Sequence, residues 1–250
     1  MDQLAVEKKL AVSYTLCAIA GAVASITMGI TWGHWYHTLD KCIGKNCSCI
    51  LYGLNTPSTF LGGDQAPCIW VTFGPLIYVF CCICLTCFHG YRVLFTTKAP
   101  RMTTTRTVIA KTEPGEAVRI QTIAQEDISP LPRTFWIVVS AISVFFFVYA
   151  LVHFSIFLDG FYSTCTEYRK VLEILLGVDG TALPVIHGRL YCQGIFDFMD
   201  YMQLDSVNAS RNGFLNTGLA LVLGVIASAF SWIVFLFASW LNILMTRRRD

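Results

Sequence analysis

The sequence predicts an all-α membrane protein with four transmembrane helices, a disulfide-tied cap on one side of the membrane and a small β-hairpin on the other. Three observations favour this class. Hydrophobic residues make up 55% of the 250 positions and charged residues only 14%, whereas an average soluble domain has about 25% charged residues. The apolar residues are gathered into four long runs, and basic residues flank those runs. The net charge of +2 gives no sign of a nucleic-acid partner.

Each of the four runs is long enough to cross a bilayer, which takes about 20 apolar residues in a helix. Residues 10–32 and 69–88 contain no Asp, Glu, Lys, Arg or His, and residues 134–158 contain one such side chain, His153. Residues 214–245 exceed the minimum, which predicts a tilted or projecting helix. Because backbone polar groups in lipid must be paired internally, each run is predicted to be helical.

Basic residues set the predicted orientation through the positive-inside rule. They precede the first run, fill the segment between the second and third runs, and follow the fourth. We therefore expect residues 1–9, the linker 96–133 and residues 246–250 to be cytosolic, with a cytosolic extension of the second helix to residue 95. The loops 33–68 and 159–213 are expected to face the exterior or a lumen. The predicted location is the plasma membrane or the endoplasmic reticulum.

Two Asn-x-Ser triplets fall in the predicted outside loops, where N-glycosylation acceptors should lie. Asn208 is the stronger candidate, because cysteines crowd Asn46. The first run could instead be read as a signal peptide cleaved after Ala24. The run continues through Trp32, however, which favours an uncleaved anchor.

The eleven cysteines divide between the two predicted environments. An even number in an oxidising compartment predicts disulfides, and the outside loops hold Cys42, Cys47, Cys49, Cys68, Cys165 and Cys192. Locality favours a Cys165–Cys192 bond in the second loop. In the first loop it favours Cys49–Cys68 with Cys42–Cys47, although Cys47 and Cys49 could exchange roles.

The other five cysteines lie in the apolar runs, at Cys17, Cys81, Cys82, Cys84 and Cys87. Helical geometry spreads neighbouring side chains around the axis, so Cys81 and Cys82 cannot face one metal ion together. A zinc site needs four convergent ligands, and we expect none here. Cys87 and Cys84 are predicted sites of S-palmitoylation near the cytosolic boundary. The alternative is that cysteine packs as a small residue, and this is favoured for Cys81 and Cys82.

Small residues recur with a spacing of four in the first run and, over a shorter length, in the fourth. Such a ridge lets another helix approach closely. Whether that helix belongs to the same bundle or to another protein is left open by the sequence. The ridge residues are Ser13, Cys17, Gly21, Ser25, Gly29 and Gly33 in the first run, and Ala220, Gly224 and Ser228 in the fourth.

The segments between the runs carry weaker signals. In the linker, β-branched residues flank the turn signal 113–116, which predicts a two-stranded hairpin; the alternative is a disordered threonine-rich linker. In the second outside loop, the stretches 167–176 and 195–204 have helical apolar faces and are predicted to build the cap. Five further side chains could be considered as metal ligands. The three aspartates are interpreted as a solvated helix face, and the two histidines as residues at the membrane interface. They are Asp197, Asp200 and Asp205, and His34 and His37.

At "CILYGLNTP" (49–57), "PCIWVTFGPL" (67–76) and "YRVLF" (91–95) the chain resembles the transmembrane protein 179 family. The order of helices and cysteine-bearing loops is similar, while the longer linker and the extra Cys42 and Cys47 depart from that family's pattern. The resemblance implies a four-pass membrane protein and supplies no catalytic residues. Tetraspanins and claudins fit less well, because their Cys-Cys-Gly and Gly-Leu-Trp signatures are missing.

An enzyme or a self-contained transporter is disfavoured, because intramembrane chemistry needs ionisable groups inside the bundle. Two functions remain. The first is an accessory subunit of a larger membrane assembly, such as a channel or a lipid-handling complex. The second is an adhesion or scaffold protein of the claudin or tetraspanin type, acting through its outside loops. The ridge and the hairpin favour the first, with membrane lipids and a larger polytopic protein as partners and without a cofactor.

Overall fold

The computed structural model describes residues 3–39, 47–56, 60–98, 103–110, 118–125, 131–175, 191–202 and 215–247. The elements in chain order are α1 (Gln3–Trp35), β1 (Cys47–Asn55), β2 (Phe60–Asp64), α2 (Gln65–Lys98), β3 (Thr103–Ala110), β4 (Val118–Gln125), α3 (Arg133–Leu175), α4 (Cys192–Met202) and α5 (Thr217–Arg247).

The four long helices α1, α2, α3 and α5 are each long and apolar enough to cross a membrane. The chain therefore carries four candidate membrane spans, as the sequence predicted. In the bundle, α1 packs mainly against α2 and α5, and α5 also packs against α3, whereas the contact between α2 and α3 is smaller. We call the end with the start of α1 and the end of α5 the terminal end, and the opposite end the disulfide end.

Helix α3 is one continuous helix of 43 residues, about 65 Å long at 1.5 Å per residue. The predicted third run 134–158 and most of the predicted cap stretch 167–176 therefore belong to one helix, which ends at Leu175. No proline separates the two stretches, so the helical hydrogen bonds continue from one to the next. Since the hydrocarbon layer is only about 30 Å thick, the second half of α3 is free to support the cap.

The cap contains a small antiparallel sheet of β1 and β2 that the sequence did not predict. Between the pairs Cys49–Gly63 and Leu54–Leu61, residues 50–53 lie opposite the single residue Gly62, which makes a large bulge. Within that bulge, Tyr52 has a φ of 58°, a backbone conformation that is rare for residues other than glycine. The bulge packs onto α3, so an all-helical description of the cap was incomplete.

The hairpin predicted for the linker is present. Strands β3 and β4 pair antiparallel from Thr103–Gln125 to Ala110–Val118 without a break in register. The turn signal at 113–116 lies outside the described residues.

The buried apolar side chains form two clusters, one at each end of the bundle. The cluster at the disulfide end joins α1, the β1–β2 sheet, α3 and α4 around Trp35, Phe60, Phe157 and Phe196. The cluster at the terminal end is centred on Tyr14, Tyr78 and other ring side chains of the helices. Outside these clusters, many large apolar side chains lie exposed on the outer faces of the long helices, as expected for surfaces that face lipid.

Candidate functional site

The small-residue ridge of α1 is occupied by α2 of the same chain. A Cβ atom on Gly21 would lie 2.5 Å from Cε2 of Tyr78 and 2.6 Å from Cγ2 of Val79. One turn further along, Ser25 Oγ donates a hydrogen bond of 2.6 Å to the carbonyl oxygen of Thr72. A Cβ on Gly29 would meet Thr72 at 3.3 Å. These contacts answer the question that the sequence left open, because the helix that fills the ridge belongs to the same bundle.

Within this chain the ridge contact ends before Gly33, and the described residues form no helix contact at that position. Gly33 is exposed, and a Cβ there would meet nothing within 4 Å. The ridge bends around the helix because a spacing of four residues drifts against the 3.6-residue turn. Cys17 therefore already contacts α5, where its thiol donates to the carbonyl of Ser231 at 3.8 Å. Ser13 is buried and bonds within α1, to the carbonyl of Lys9.

The shorter ridge of α5 lies between α1 and α3. A Cβ on Gly224 would be 2.7 Å from Oγ1 of Thr27 in α1 and 2.8 Å from Cε1 of Phe157 in α3. Ser228 is also buried, whereas Ala220 is half-buried. Gly224 therefore allows α5 to approach two helices at once.

Gly21 and Gly33 form a matched pair for a stability test. We expect Gly21→Leu to lower the free energy of unfolding by about 3 kcal/mol, at the upper end for overpacking, because the new side chain would overlap Tyr78 and Val79. Gly33→Leu should leave stability unchanged or raise it slightly, since leucine favours a helix over glycine. Unfolding of the purified protein in detergent, followed by tryptophan fluorescence, measures both. Equal losses for the two variants would contradict the placement of the ridge.

Pro75 creates an unpaired carbonyl inside α2, and α3 supplies its partner. Proline has no N–H, so the carbonyl four residues earlier loses its helical hydrogen bond. That carbonyl belongs to Val71, and it lies 3.0 Å from Nε2 of the fully buried His153. Because a carbonyl oxygen only accepts, Nε2 must carry the hydrogen. His153, the single ionisable side chain predicted in the third run, thus joins α3 to α2 by a hydrogen bond.

Two more side chains secure the same part of α2. Tyr149 of α3 donates to the carbonyl of Gly74 at 3.2 Å, and Ser25 of α1 donates to that of Thr72. The segment around Pro75 is therefore held from both neighbouring helices.

Three helices are joined at the terminal end by a buried hydrogen-bond network. Asn242 Nδ2 of α5 lies 2.8 Å from the Tyr14 hydroxyl of α1 and 2.9 Å from Ser143 Oγ of α3. The Tyr14 and Ser143 oxygens are themselves 2.9 Å apart. All three side chains are at most 1% exposed, and hydrogen bonds between polar side chains are a common means of joining helices within a bilayer.

The fourth helix is attached at this end by an ion pair. Arg92 of α2 makes two hydrogen bonds to the carboxylate of Glu7, at 3.0 and 3.3 Å. Gln3 donates a third at 2.9 Å. The Glu7 side chain is 3% exposed and that of Arg92 19%, so the carboxylate is almost wholly enclosed.

Sequence reasoning missed Glu7, although a signal was available. Glu7, Tyr14, Gly21, Met28 and Trp35 recur every seven residues, and all five are buried. Residues seven apart lie on one helix face, so this series marks the buried face of α1. Its partner Arg92, 85 residues away in the chain, could not be inferred from that spacing.

His89 is a further buried polar side chain at the terminal end. Its ring lies between those of Tyr14 and Trp136, with centroids 6.0 and 6.2 Å away and planes within 24° of parallel. The side chain is fully buried, and neither ring nitrogen has a hydrogen-bond partner among the described residues. His89 therefore contributes to this end by aromatic stacking.

The cap is fastened to α3 around Tyr52. Its hydroxyl donates to the Ile156 carbonyl at 3.2 Å and to Asp159 Oδ2 at 2.9 Å. Burial, and then the hydrogen bond to Asp159, raise the pKa of Tyr52 to about 12. The hydroxyl consequently keeps its proton, and donates, at any physiological pH. Thr164 adds a second attachment, because its hydroxyl donates to the Ile50 carbonyl at 2.8 Å.

Gly160 makes this attachment possible. A Cβ at that position would come within 2.9 Å of both Leu51 and the Tyr52 ring. The absence of a side chain at Gly160 lets the bulge pack directly on α3. This close contact explains why glycine, which weakens helices, occurs inside α3.

Asp200 connects α4 with the start of α5. Its Oδ2 accepts a 2.7 Å hydrogen bond from the backbone N–H of Thr217, and Asn216 caps the same helix through Leu219 N–H at 2.7 Å. Burial raises the pKa of the Asp200 carboxyl above its usual range. The interpretation of Asp200 as part of a solvated face was therefore wrong, because the carboxylate caps a helix. Asp197 is half-buried, and Asp205 lies outside the described residues.

Disulfides join the elements of the cap. The bond Cys49–Cys68 links β1 to α2, and Cys165–Cys192 links α3 to α4, with Cα–Cα distances of 5.6 and 5.5 Å. Both are pairings that locality favoured. Cys47 is disulfide-bonded as well. The other predicted sites of the outside loops, namely Cys42, Asn46 and Asn208, lie outside the described residues.

Taken together, this geometry defines a helical bundle with four candidate membrane spans, polar braces between its helices and a disulfide-bonded cap at one end. Within the described residues, His, Cys, Asp and Glu side chains form no group of three that could hold a metal ion. Comparisons with family models, with curated proteins and with solved structures found no match.

Proposed function

We propose that the protein is a non-enzymatic, four-pass membrane protein that acts as an accessory subunit of a larger membrane complex, such as a channel or a lipid-handling assembly. In this proposal the termini and the β3–β4 hairpin are cytosolic, and the disulfide-bonded cap faces the exterior or a lumen. The proposal agrees with the resemblance to the transmembrane protein 179 family. The plasma membrane and the endoplasmic reticulum remain the proposed locations.

The observation that carries the proposal is that polar side chains inside the bundle hydrogen-bond to neighbouring helices. His153, Tyr149 and the Tyr14–Ser143–Asn242 network bond to neighbouring helices. Transport and intramembrane catalysis instead need ionisable or polar groups that face a substrate path. Because these polar side chains hydrogen-bond to neighbouring helices, they make the bundle rigid. A rigid bundle favours a role in which the protein presents surfaces to a partner.

The partner would contact surfaces other than the α1 ridge, which α2 already fills. The cap is one such surface. It is held by disulfides and by the Tyr52 and Thr164 hydrogen bonds to α3. A surface that is already rigid loses less conformational entropy on binding, which favours complex formation.

A purification in a mild detergent tests the proposal. The protein would be tagged in the linker between β3 and β4 and recovered at native expression, and native mass spectrometry would give the composition. An accessory subunit predicts stoichiometric recovery with one larger polytopic protein. A second four-pass protein, with the same tag and abundance, controls for co-solubilised neighbours. Recovery of the chain alone would contradict the proposal.

The same experiment separates the alternative, an adhesion or scaffold protein of the claudin or tetraspanin type. That function predicts homo-oligomers, or partners recovered only from cells in contact. A mixed culture in which one population carries the tag and the other carries isotope labels distinguishes a partner on the adjoining cell from one in the same membrane.

A further inference from the structure

The four cysteines of α2 between residues 81 and 87 differ in exposure. Cys82 is fully buried and Cys81 is half-buried, whereas Cys84 and Cys87 are both exposed, and all four are free thiols. The sequence favoured Cys84 and Cys87 as S-palmitoylation sites because they lie nearest the predicted cytosolic end of the second apolar run. The structure adds that they are also the two thiols a reagent in the surrounding lipid could reach.

The exposed thiols lie within one continuous apolar stripe. Phe80, Cys84, Cys87, Tyr91 and Phe95 follow one another at spacings of three or four, so they share a face of the helix. Phe80 is 72% exposed, Tyr91 62% and Phe95 59%. An acyl chain attached at the middle of this stripe would lie along aromatic side chains instead of against the bundle core.

The thiols also lie at a suitable depth. Cys87 precedes Arg92 by five residues and Cys84 by eight, which correspond to about 8 and 12 Å along a helix. Arg92 is paired with Glu7 at the terminal end, where Lys8 and Lys9 are exposed. The charged groups mark the boundary of the apolar layer at this end. Cys87 therefore lies just inside that boundary, the juxtamembrane position typical of S-acylation, and Cys84 lies about one helical turn deeper.

We propose that Cys84 and Cys87 are S-acylated by long-chain acyl groups. The Cys sulfur attacks the carbonyl carbon of a long-chain acyl-coenzyme A. The bond between that carbon and the coenzyme A sulfur breaks, a new thioester forms on the cysteine, and the thiol proton ends on coenzyme A. One thioester replaces another, so neither an oxidant nor a reductant is needed. The inference rests on the proposed cytosolic orientation of the terminal end and not on the existence of a partner.

Acyl exchange on the full-length protein tests the proposal. Free thiols are blocked, thioesters are cleaved with hydroxylamine, and the newly released thiols are labelled and counted by mass. We expect two labels on the wild type, one on each of Cys84→Ser and Cys87→Ser, and none on the double variant. Cys81→Ser is the matched control, since it removes a half-buried thiol of the same helix, and it should keep both labels.

Two results would overturn the inference. One is a wild type without hydroxylamine-dependent labels; the other is a label count that falls in Cys81→Ser and stays unchanged in the double variant. An unchanged unfolding midpoint in each variant excludes misfolding as the cause of a loss. A tag between β3 and β4 distinguishes an absence of acylation from an inverted orientation. An inverted protein would lack acyl groups and would also expose the tag on the non-cytosolic side of the membrane.

Discussion

Replacing Glu7 with glutamine is expected to lower the free energy of unfolding by roughly 3 kcal/mol, near the lower end for losing one partner of a buried ion pair. The loss arises because the Arg92 guanidinium would lose its two hydrogen bonds to the Glu7 carboxylate, and the lower end applies because Arg92 retains 19% of its side-chain exposure. Unfolding of the detergent-solubilised protein by added denaturant, followed by tryptophan fluorescence, measures the change.

Two further variants make the test specific. Glu167→Gln breaks the exposed ion pair with Lys170 in α3 and should cost less than about 1 kcal/mol, as surface pairs do. The double variant Glu7→Gln with Arg92→Met should recover most of the loss, because both charges of the pair are then removed. Equal effects of Glu7→Gln and Glu167→Gln would show that Glu7 is not enclosed as described.

Removal of the Cys165–Cys192 disulfide is expected to have a similarly large effect. Replacing both cysteines with alanine should lower stability by about 3 to 4 kcal/mol, because a cross-link over 27 residues restricts the unfolded chain. The cap should become more sensitive to protease, since α4 would lose its covalent link to α3 and would be held by non-covalent contacts, such as the buried Phe196 and the Asp200–Thr217 hydrogen bond.

The free cysteine Cys81 supplies the control for that experiment. Cys81→Ala removes a thiol that makes no disulfide and should leave both stability and protease resistance of the cap nearly unchanged. Reducing agent added to the wild type should cause at least this loss, because it can also cleave the Cys49–Cys68 bond. A double variant as stable and as protease-resistant as the wild type would contradict the role given to this bond.

The sequence predicts the four candidate spans well because the physical requirement on a membrane-crossing helix is strict. A chain can cross lipid only with about 20 apolar residues whose backbone groups are paired internally, and such runs are visible without knowledge of any contact. The pairing of Cys165 with Cys192 was similarly predictable, because they are the only two cysteines in the predicted loop 159–213. The preference for Cys84 and Cys87 over Cys81 and Cys82 rested on their nearness to the end of the apolar run, which is likewise a local property.

Features that depend on contacts distant in the chain could not be predicted in this way. The β1–β2 sheet exists where its bulge packs against Gly160 and Thr164, more than 100 residues later. Asp200 became a helix cap because α4 meets the start of α5. Gly33 lies off the contact with α2 because the four-residue spacing drifts around the helix. The spacing of residues within one helix describes its faces and does not reveal which neighbour covers each face.

The central claim is that the four apolar helices cross the membrane with the linker on the cytosolic side and the cap on the other. A tag placed in residues 111–117, between β3 and β4, tests this most directly, with a tag in residues 203–210 as the matched control. The account predicts that an antibody reaches the linker tag only after the plasma membrane has been permeabilised with internal membranes left intact. Staining of the linker tag in intact cells, or only after internal membranes are opened, would contradict it.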